Sequence, residues 1–222
     1  MMQAVVFDLD GTLIDSAPDL HAAANKVLAA EGVPPITFAQ ARSFIGHGSA
    51  DLIRKVMLAS GLGEDPDEHA RLLEAFMVHY NGPPALTTPY PGVLDALARL
   101  EGSRVTMGLC TNKPGGPTEI ALRHFGLERF MRVAAHGDTL EARKPDPAPL
   151  HHVFAELGAP GGLYVGDSEV DAETAERAGL PFALYTEGYR KTPVPELYHT
   201  YAFDHFDALP DIVARHFRTV TA

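Results

Sequence analysis

Asp8 and Asp10 stand two residues apart, directly after the apolar run Ala4-Val5-Val6-Phe7 and before Gly11-Thr12. The run reads as a buried strand, and on an extended chain residues i and i+2 project to the same side. Two carboxylates placed there repel each other unless positive charge sits beside them, and a divalent cation is the simplest source. Gly11 suits a sharp turn with free backbone N–H groups. The segment predicts a metal-assisted carboxylate site at the carboxyl end of a parallel strand, where open α/β sheets place their ligands.

Later apolar runs end in residues suited to the same site. The run 104–110 ends in Thr111-Asn112-Lys113-Pro114. A hydroxyl and backbone N–H groups just before a helix can bind an anion, and they can equally cap the helix. Lys144 precedes Pro145, so its backbone is held extended and its compact charge can be aimed at a phosphoryl oxygen. In Gly166-Asp167-Ser168-Glu169-Val170-Asp171 the glycine permits a tight turn, Asp167 adds a strand-end carboxylate, and Asp171 follows at i+4. Oxygen ligands without Cys or His in these motifs suit Mg²⁺ rather than Zn²⁺.

The elements that must position these residues follow from periodicity. Apolar runs at 3–8, 104–110, 132–136, 162–166 and 181–185 read as strands. Amphipathic stretches near 91–101, 116–125, 147–157 and 170–178 read as helices. Their alternation predicts an α/β fold, a Rossmann-like parallel sheet with helices on both faces. Residues 17–82 break the pattern, with helices near 17–31, 38–44, 49–60 and 67–80 and no strand. The expected organisation is a catalytic core of residues 1–15 and 84–222 with a small all-α cap, 16–83, inserted after the first strand. Crossings near Asp15–Pro18 and the Pro/Gly-rich 82–92 would form a hinge. In the cap, the backbone N–H groups of Gly46-His47-Gly48 and the His47 ring are expected to meet a small carboxylate; the alternative is an interhelical turn with a surface histidine. His151 and His152 are expected on a helix away from the strand ends.

Composition bounds the partners. The chain has 222 residues, 45% of them hydrophobic, which suffices for one core and a small second unit. A net charge of -11 argues against a nucleic-acid surface, yet a few local cations and a metal can still receive a small anion. One cysteine, Cys110, excludes an intrachain disulfide and favours a reducing compartment. No signal peptide and no apolar run near the ~20 residues that span a bilayer are found, so a cytoplasmic protein with no membrane partner is expected.

Asp8-x-Asp10-Gly11-Thr12, Thr111, Lys144 and Gly166-Asp167-x-x-x-Asp171 resemble the four ordered motifs of the haloacid dehalogenase (HAD) superfamily, over about residues 3–180. Asp15-Ser16-Ala17-Pro18-Asp19-Leu20, Ile45-Gly46-His47-Gly48, Thr111-Asn112-Lys113-Pro114 and Gly188-Tyr189 further resemble the phosphoglycolate phosphatase branch, whose helical cap follows the first strand. The resemblance implies a Mg²⁺-dependent phosphomonoesterase working through an aspartyl-phosphate. Asp8 would be the nucleophile and Asp10 the general acid and base. Asp8, the backbone carbonyl of Asp10, and Asp167 would hold the metal, supported by Asp171 and Ser168. Gly11, Thr111, Asn112 and Lys144 would hold the phosphoryl group. The implied partner is a small anionic phosphate ester, 2-phosphoglycolate first, for a monomer or homodimer. The alternatives are a sugar-phosphate phosphatase, a β-phosphoglucomutase-like phosphomutase and, more distantly, a phosphoacceptor receiver. Receivers also set acids, Thr and Lys on a parallel sheet, but they lack a helical insert and have about half this length.

Overall fold

The protein is described by a computed structural model covering residues 3–220. Its strands are β1 (Ala4–Phe7), β2 (Ile14–Asp15), β3 (Thr88–Pro89), β4 (Thr106–Cys110), β5 (Val133–Ala135), β6 (Leu163–Gly166), β7 (Phe182–Tyr185) and β8 (Tyr201–Phe203). Its helices are α1 (Ala17–Ala30), α2 (Phe38–Phe44), α3 (Ser49–Ala59), α4 (Pro66–Tyr80), α5 (Val93–Gly102), α6 (Gly115–His124), α7 (Ala148–Glu156), α8 (Glu169–Ala178) and α9 (Leu209–Val220).

Six strands form one parallel sheet in the order β5-β4-β1-β6-β7-β8. Strand alternation sorts β1 between two cores. Val5 and Phe7 join Met107, Leu109 and Val165 under α5 and α9. Ala4 and Val6 join Tyr164 and Phe182 under α7 and α8. Such sheets, covered on both faces, need continuous apolar strands, and β1 is buried along its whole length. β1 lies between β4 and β6, where the chain reverses its direction of growth across the sheet. A crevice opens at that switch point beyond the strand ends.

The four helices between β2 and β3 pack around an apolar cluster of their own. Leu20, Ala24, Val27 and Leu28 of α1 recur at helical spacing and meet Ile53, Met57, Leu72 and Phe76. Helix starts are marked in the sequence. Thr37 and Gln40 make a reciprocal capping box on α2, and the Asp65 carboxylate accepts from the Asp67 and Glu68 N–H groups of α4.

Both chain crossings between this bundle and the sheet run side by side. Ile14 pairs antiparallel with Pro89 and Asp15 with Thr88. The Asp19 carboxylate at the start of α1 accepts from the N–H groups of Ala85, Leu86 and Thr87 and from the Thr87 hydroxyl at 2.6–3.1 Å. Partial burial works against its ionisation, but these bonds hold it below the usual carboxylate range. Asp19→Ala should cost about 1–3 kcal/mol by leaving those donors unpaired. Thermal unfolding would report it as a Tm lower by about 2–4 °C per kcal/mol, and an unchanged Tm would dismiss the clamp.

Two short strands (β2 and β3), β8 and α9 were not among the expected elements. β2 and β3 span two residues each and carry no periodicity. β8 is an edge strand of three residues with only Phe203 buried. No helix among the described residues is long and apolar enough to cross a membrane.

Candidate active site

Asp8 follows β1 directly, and its N–H donates to Val165 O at 2.9 Å, which ties the strand end to β6. Its carboxylate lies 2.8 Å from Lys144 Nζ. Lys144 is itself fixed from several sides. Its Nζ lies 2.7 Å from Asp171 Oδ1 and donates to the Tyr164 hydroxyl at 2.9 Å. Its backbone N–H and carbonyl are both bonded by the Asn112 side chain, at 3.0 and 2.9 Å. Both Asp171 oxygens are occupied. Oδ1 takes Lys144 and Tyr164, while Oδ2 takes the Ser168 hydroxyl and the N–H groups of Asp167 and Ser168.

Asp10 has a separate cation. Lys113 Nζ lies 2.9 and 3.2 Å from its two oxygens and also donates to the Tyr80 hydroxyl, at the last residue of α4. The two acids that emerge together from β1 therefore diverge, one to each lysine.

Among the described residues Asp167 has no lysine partner. Its Oδ1 accepts from the Thr12 hydroxyl at 2.7 Å and its Oδ2 from the Tyr189 N–H at 2.6 Å. The glycines around it are there for space. A Cβ on Gly11 would stand 2.4 Å from Asp167 Oδ2, and one on Gly188 2.3 Å from Asp167 Cβ. Gly11 also has φ +90°, which a side chain would strain. The Tyr189 hydroxyl reaches back to the first crossing, donating to Asp15 Oδ1 at 2.7 Å and accepting from the Ala17 N–H at 2.9 Å.

The electrostatics call for a cation. Burial pushes the Asp8 carboxyl up to about 7 against the pull of Lys144, with Asp171 and Asp10 adding repulsion. Burial, then repulsion from Asp171 and Asp8, drives Asp167 well above the usual range. Asp171 is buried too, yet the Lys144 charge and its hydrogen bonds keep it low. With all four carboxylates ionised, the two ammonium groups would leave two negative charges for a bound cation to offset. Oxygens of Asp8, Asp167 and Asp171 all lie within 4.8 Å of one another. An all-carboxylate set of this kind fits a hard divalent ion. Because Asp171 is saturated with donors, Asp8 and Asp167 are the side chains left to hold it directly.

A cleft opens beside these residues, lined by Asp8, Asp10, Thr111, Asn112 and Lys113 on the sheet side and by Ile45, Gly46, Gly48, Ser49 and Tyr80 on the bundle side. The bundle touches the sheet across it. Asn112 Nδ2 donates to Gly46 O at 3.0 Å, and Arg42 donates to the Gly188 carbonyl.

The structure brings together Asp8, Asp10, Thr111, Asn112, Lys144, Asp167, Ser168 and Asp171. Two expected contacts come out differently, and a third is narrowed to the backbone. The Gly11 N–H is taken by Ile14 O at 2.8 Å, so it does not point at a phosphoryl group. The Asn112 side chain is committed to Lys144 and Gly46, which leaves its backbone for an anion. Gly46 and Gly48 line the cleft, but His47 is exposed and does not. Lys113, Tyr80, Tyr164, Thr12 and Tyr189 were given no role from the sequence. Lys113 carries the signal that singled out Lys144, a lysine before a proline past a strand end. Tyr189 was marked only as part of the Gly188-Tyr189 resemblance, and Tyr80 and Tyr164 carry no signal, since their spacing is that of ordinary core residues.

The haloacid dehalogenase-like hydrolase family matches residues 5–185 of the chain. A phosphoglycolate phosphatase of Cereibacter sphaeroides is 52% identical, over 96% of this chain and 99% of that protein. One from Rhodobacter capsulatus is 44% identical, over 96% and 97%. The crystal structure of a predicted phosphoglycolate phosphatase from Haemophilus somnus superposes with a TM-score of 0.88 at 28% identity, covering 95% of this chain and 97% of that one. Parallel sheet, paired strand-end acids and family match agree, and the chain belongs to the haloacid dehalogenase-like hydrolases.

Proposed function

We propose that this protein is a Mg²⁺-dependent phosphoglycolate phosphatase that works through a phosphoryl group carried on Asp8. The observation that carries the reading is the separation of the two strand-end acids, Asp8 to Lys144 and Asp10 to Lys113, beside an Asp167 with no cation. The names of its relatives supply the substrate.

Phosphoryl transfer is mostly positioning and neutralisation of charge on the equatorial oxygens. An Asp8 oxygen attacks phosphorus as the bond to the leaving oxygen breaks. Asp10, two residues on, gives that oxygen its proton, and glycolate departs. Asp10 then takes a proton from water as the water oxygen attacks phosphorus, releasing phosphate and restoring Asp8. Lys144 and the Thr111 hydroxyl hold phosphoryl oxygens, with Lys144 kept in place by Asp171, Tyr164 and the Asn112 side chain. Asp8, the Asp10 carbonyl and Asp167 would hold Mg²⁺, which when bound screens the carboxylate nucleophile from the phosphate dianion. Residues 16–83 serve as the cap over a core of 1–15 and 84–222, and the paired crossings serve as its hinge.

The metal also has a stability signature. A carboxyl whose pKa rises on folding stabilises the protein below its unfolded value, about 4, and that stability is lost as pH climbs to the folded value, about 7 for Asp8. Metal-free protein is therefore penalised at neutral pH, and Mg²⁺ should raise Tm more at pH ~7.5 than at pH ~5. Equal shifts at both would count against the site.

The substrate test is kcat/KM across phosphate esters. 2-Phosphoglycolate should lead p-nitrophenyl phosphate and hexose phosphates. A preferred hexose phosphate would overturn the reading.

A further inference from the structure

Lys113 is buried, yet it borders the cleft, and among the described residues lining that cleft it is the cationic side chain. Its ammonium has three N–H donors. They go to the two Asp10 oxygens, at 2.9 and 3.2 Å, and to the Tyr80 hydroxyl, and the longer Asp10 contact is the one a ligand carboxylate would take over. Tyr80 packs against Lys113 with its ring centroid 4.5 Å from Nζ and stacks on Phe76 of the bundle core at 5.2 Å. The lysine is thus steered from the bundle while it emerges from the sheet. Burial works against its charge, but Asp10 and Tyr80 more than restore it, so the ammonium stays protonated.

The geometry of the substrate proposed above selects this lysine. In 2-phosphoglycolate one methylene separates the leaving oxygen from the carboxylate. When Asp10 reaches the leaving oxygen, the carboxylate must lie within a few ångströms of Asp10. Lys113, 2.9 Å from Asp10, is the cation at that place. Lys144 is spoken for by Asp8 and Asp171 on the phosphoryl side. Against the same cleft stands the amino end of α3, with Ser49 buried there and Gly48, at φ +87°, as a cap without a side chain. That wall adds N–H dipoles of the right sign for an anion.

We propose that Lys113, oriented by Tyr80, is the receptor for the substrate carboxylate and so the residue that sets specificity. The inference rests on the phosphoglycolate reading and names the group behind it. A lysine merely supporting Asp10 would serve every ester alike, whereas a carboxylate receptor serves only esters that carry a carboxylate.

The test compares kcat/KM for 2-phosphoglycolate and for 2-hydroxyethyl phosphate, which has the same length with an uncharged end. Wild type should prefer the first. Lys113→Gln should lower that preference about 10- to 100-fold, the range for a lost charge-assisted hydrogen bond. Tyr80→Phe, which keeps the lysine, should lower it several-fold, through a higher KM for 2-phosphoglycolate, and it stands as the test where Lys113→Gln does not fold. Equal losses on both esters, with the preference unchanged, would overturn the assignment. Absence of any preference in wild type would instead overturn the phosphoglycolate reading itself.

Discussion

Asp8→Asn is expected to lower kcat by about 10⁴-fold or more, the scale on which removing a nucleophile acts. The amide is a near-isostere, so the loss reports chemistry rather than shape. An amide oxygen carries no charge to attack phosphorus and cannot form the acyl phosphate. The fold should survive. Lys144 keeps Asp171 and Tyr164 as partners, and the substitution removes a buried carboxylate that burial has already pushed up to about 7. In metal-free protein the variant should be at least as stable as wild type at neutral pH, because repulsion with Asp171 is relieved. Circular dichroism melts beside phosphate-release assays would check both halves. Activity within about tenfold of wild type would refute the nucleophile.

Lys144→Ala should damage function and fold together. One charge donor aimed at a developing oxyanion is worth about 10²–10³ in kcat. The same ammonium is the partner of two buried carboxylates, and breaking such a pair leaves uncompensated charge at a cost of about 3–5 kcal/mol. The stability loss should shrink as pH falls toward 5, where Asp8 takes up a proton. A mild activity loss in a folded variant would place the charge elsewhere than on the phosphoryl group. Lys113, paired with Asp10, should not substitute for it.

The sheet was legible in the sequence because its strands are apolar on both faces. The runs around β1, β4, β5, β6 and β7 need no long-range information, and alternation with helical periods leaves parallel pairing as the economical solution. The bundle helices were legible as helical stretches with no strand between residues 17 and 82, and the structure marks their starts with Pro18, Thr37, Asp65 and Pro66. β2, β3 and β8 were not, since two- and three-residue strands are set by what lies beside them rather than by their own pattern.

The acids and Lys144 were readable from position, as polar residues just past apolar strands. Their partners were not. That Asp8 and Asp10 part company, each to its own lysine, depends on where the loops after β4 and β5 and the end of α4 arrive in space. Tyr80 lies 33 positions before Lys113, and Tyr189 lies 174 positions after Asp15, beyond any local rule. Gly11 sits in the turn expected of it, but not with a free N–H. Its lack of a side chain makes room for Asp167 and Tyr189, while its N–H closes the turn onto Ile14. His47 follows the alternative stated for it, a surface histidine in an interhelical turn, and only its glycine neighbours line the cleft.

The proposed mechanism puts the phosphoryl group on Asp8 itself between the two half-reactions. Rapid acid quench of enzyme turning over ³²P-labelled 2-phosphoglycolate with Mg²⁺, followed by peptide mapping, tests it most directly. Hydroxylamine-sensitive label is expected on the peptide that contains Asp8, present in wild type and missing from Asp8→Asn. Turnover with label appearing only in inorganic phosphate, or on another residue, would contradict it.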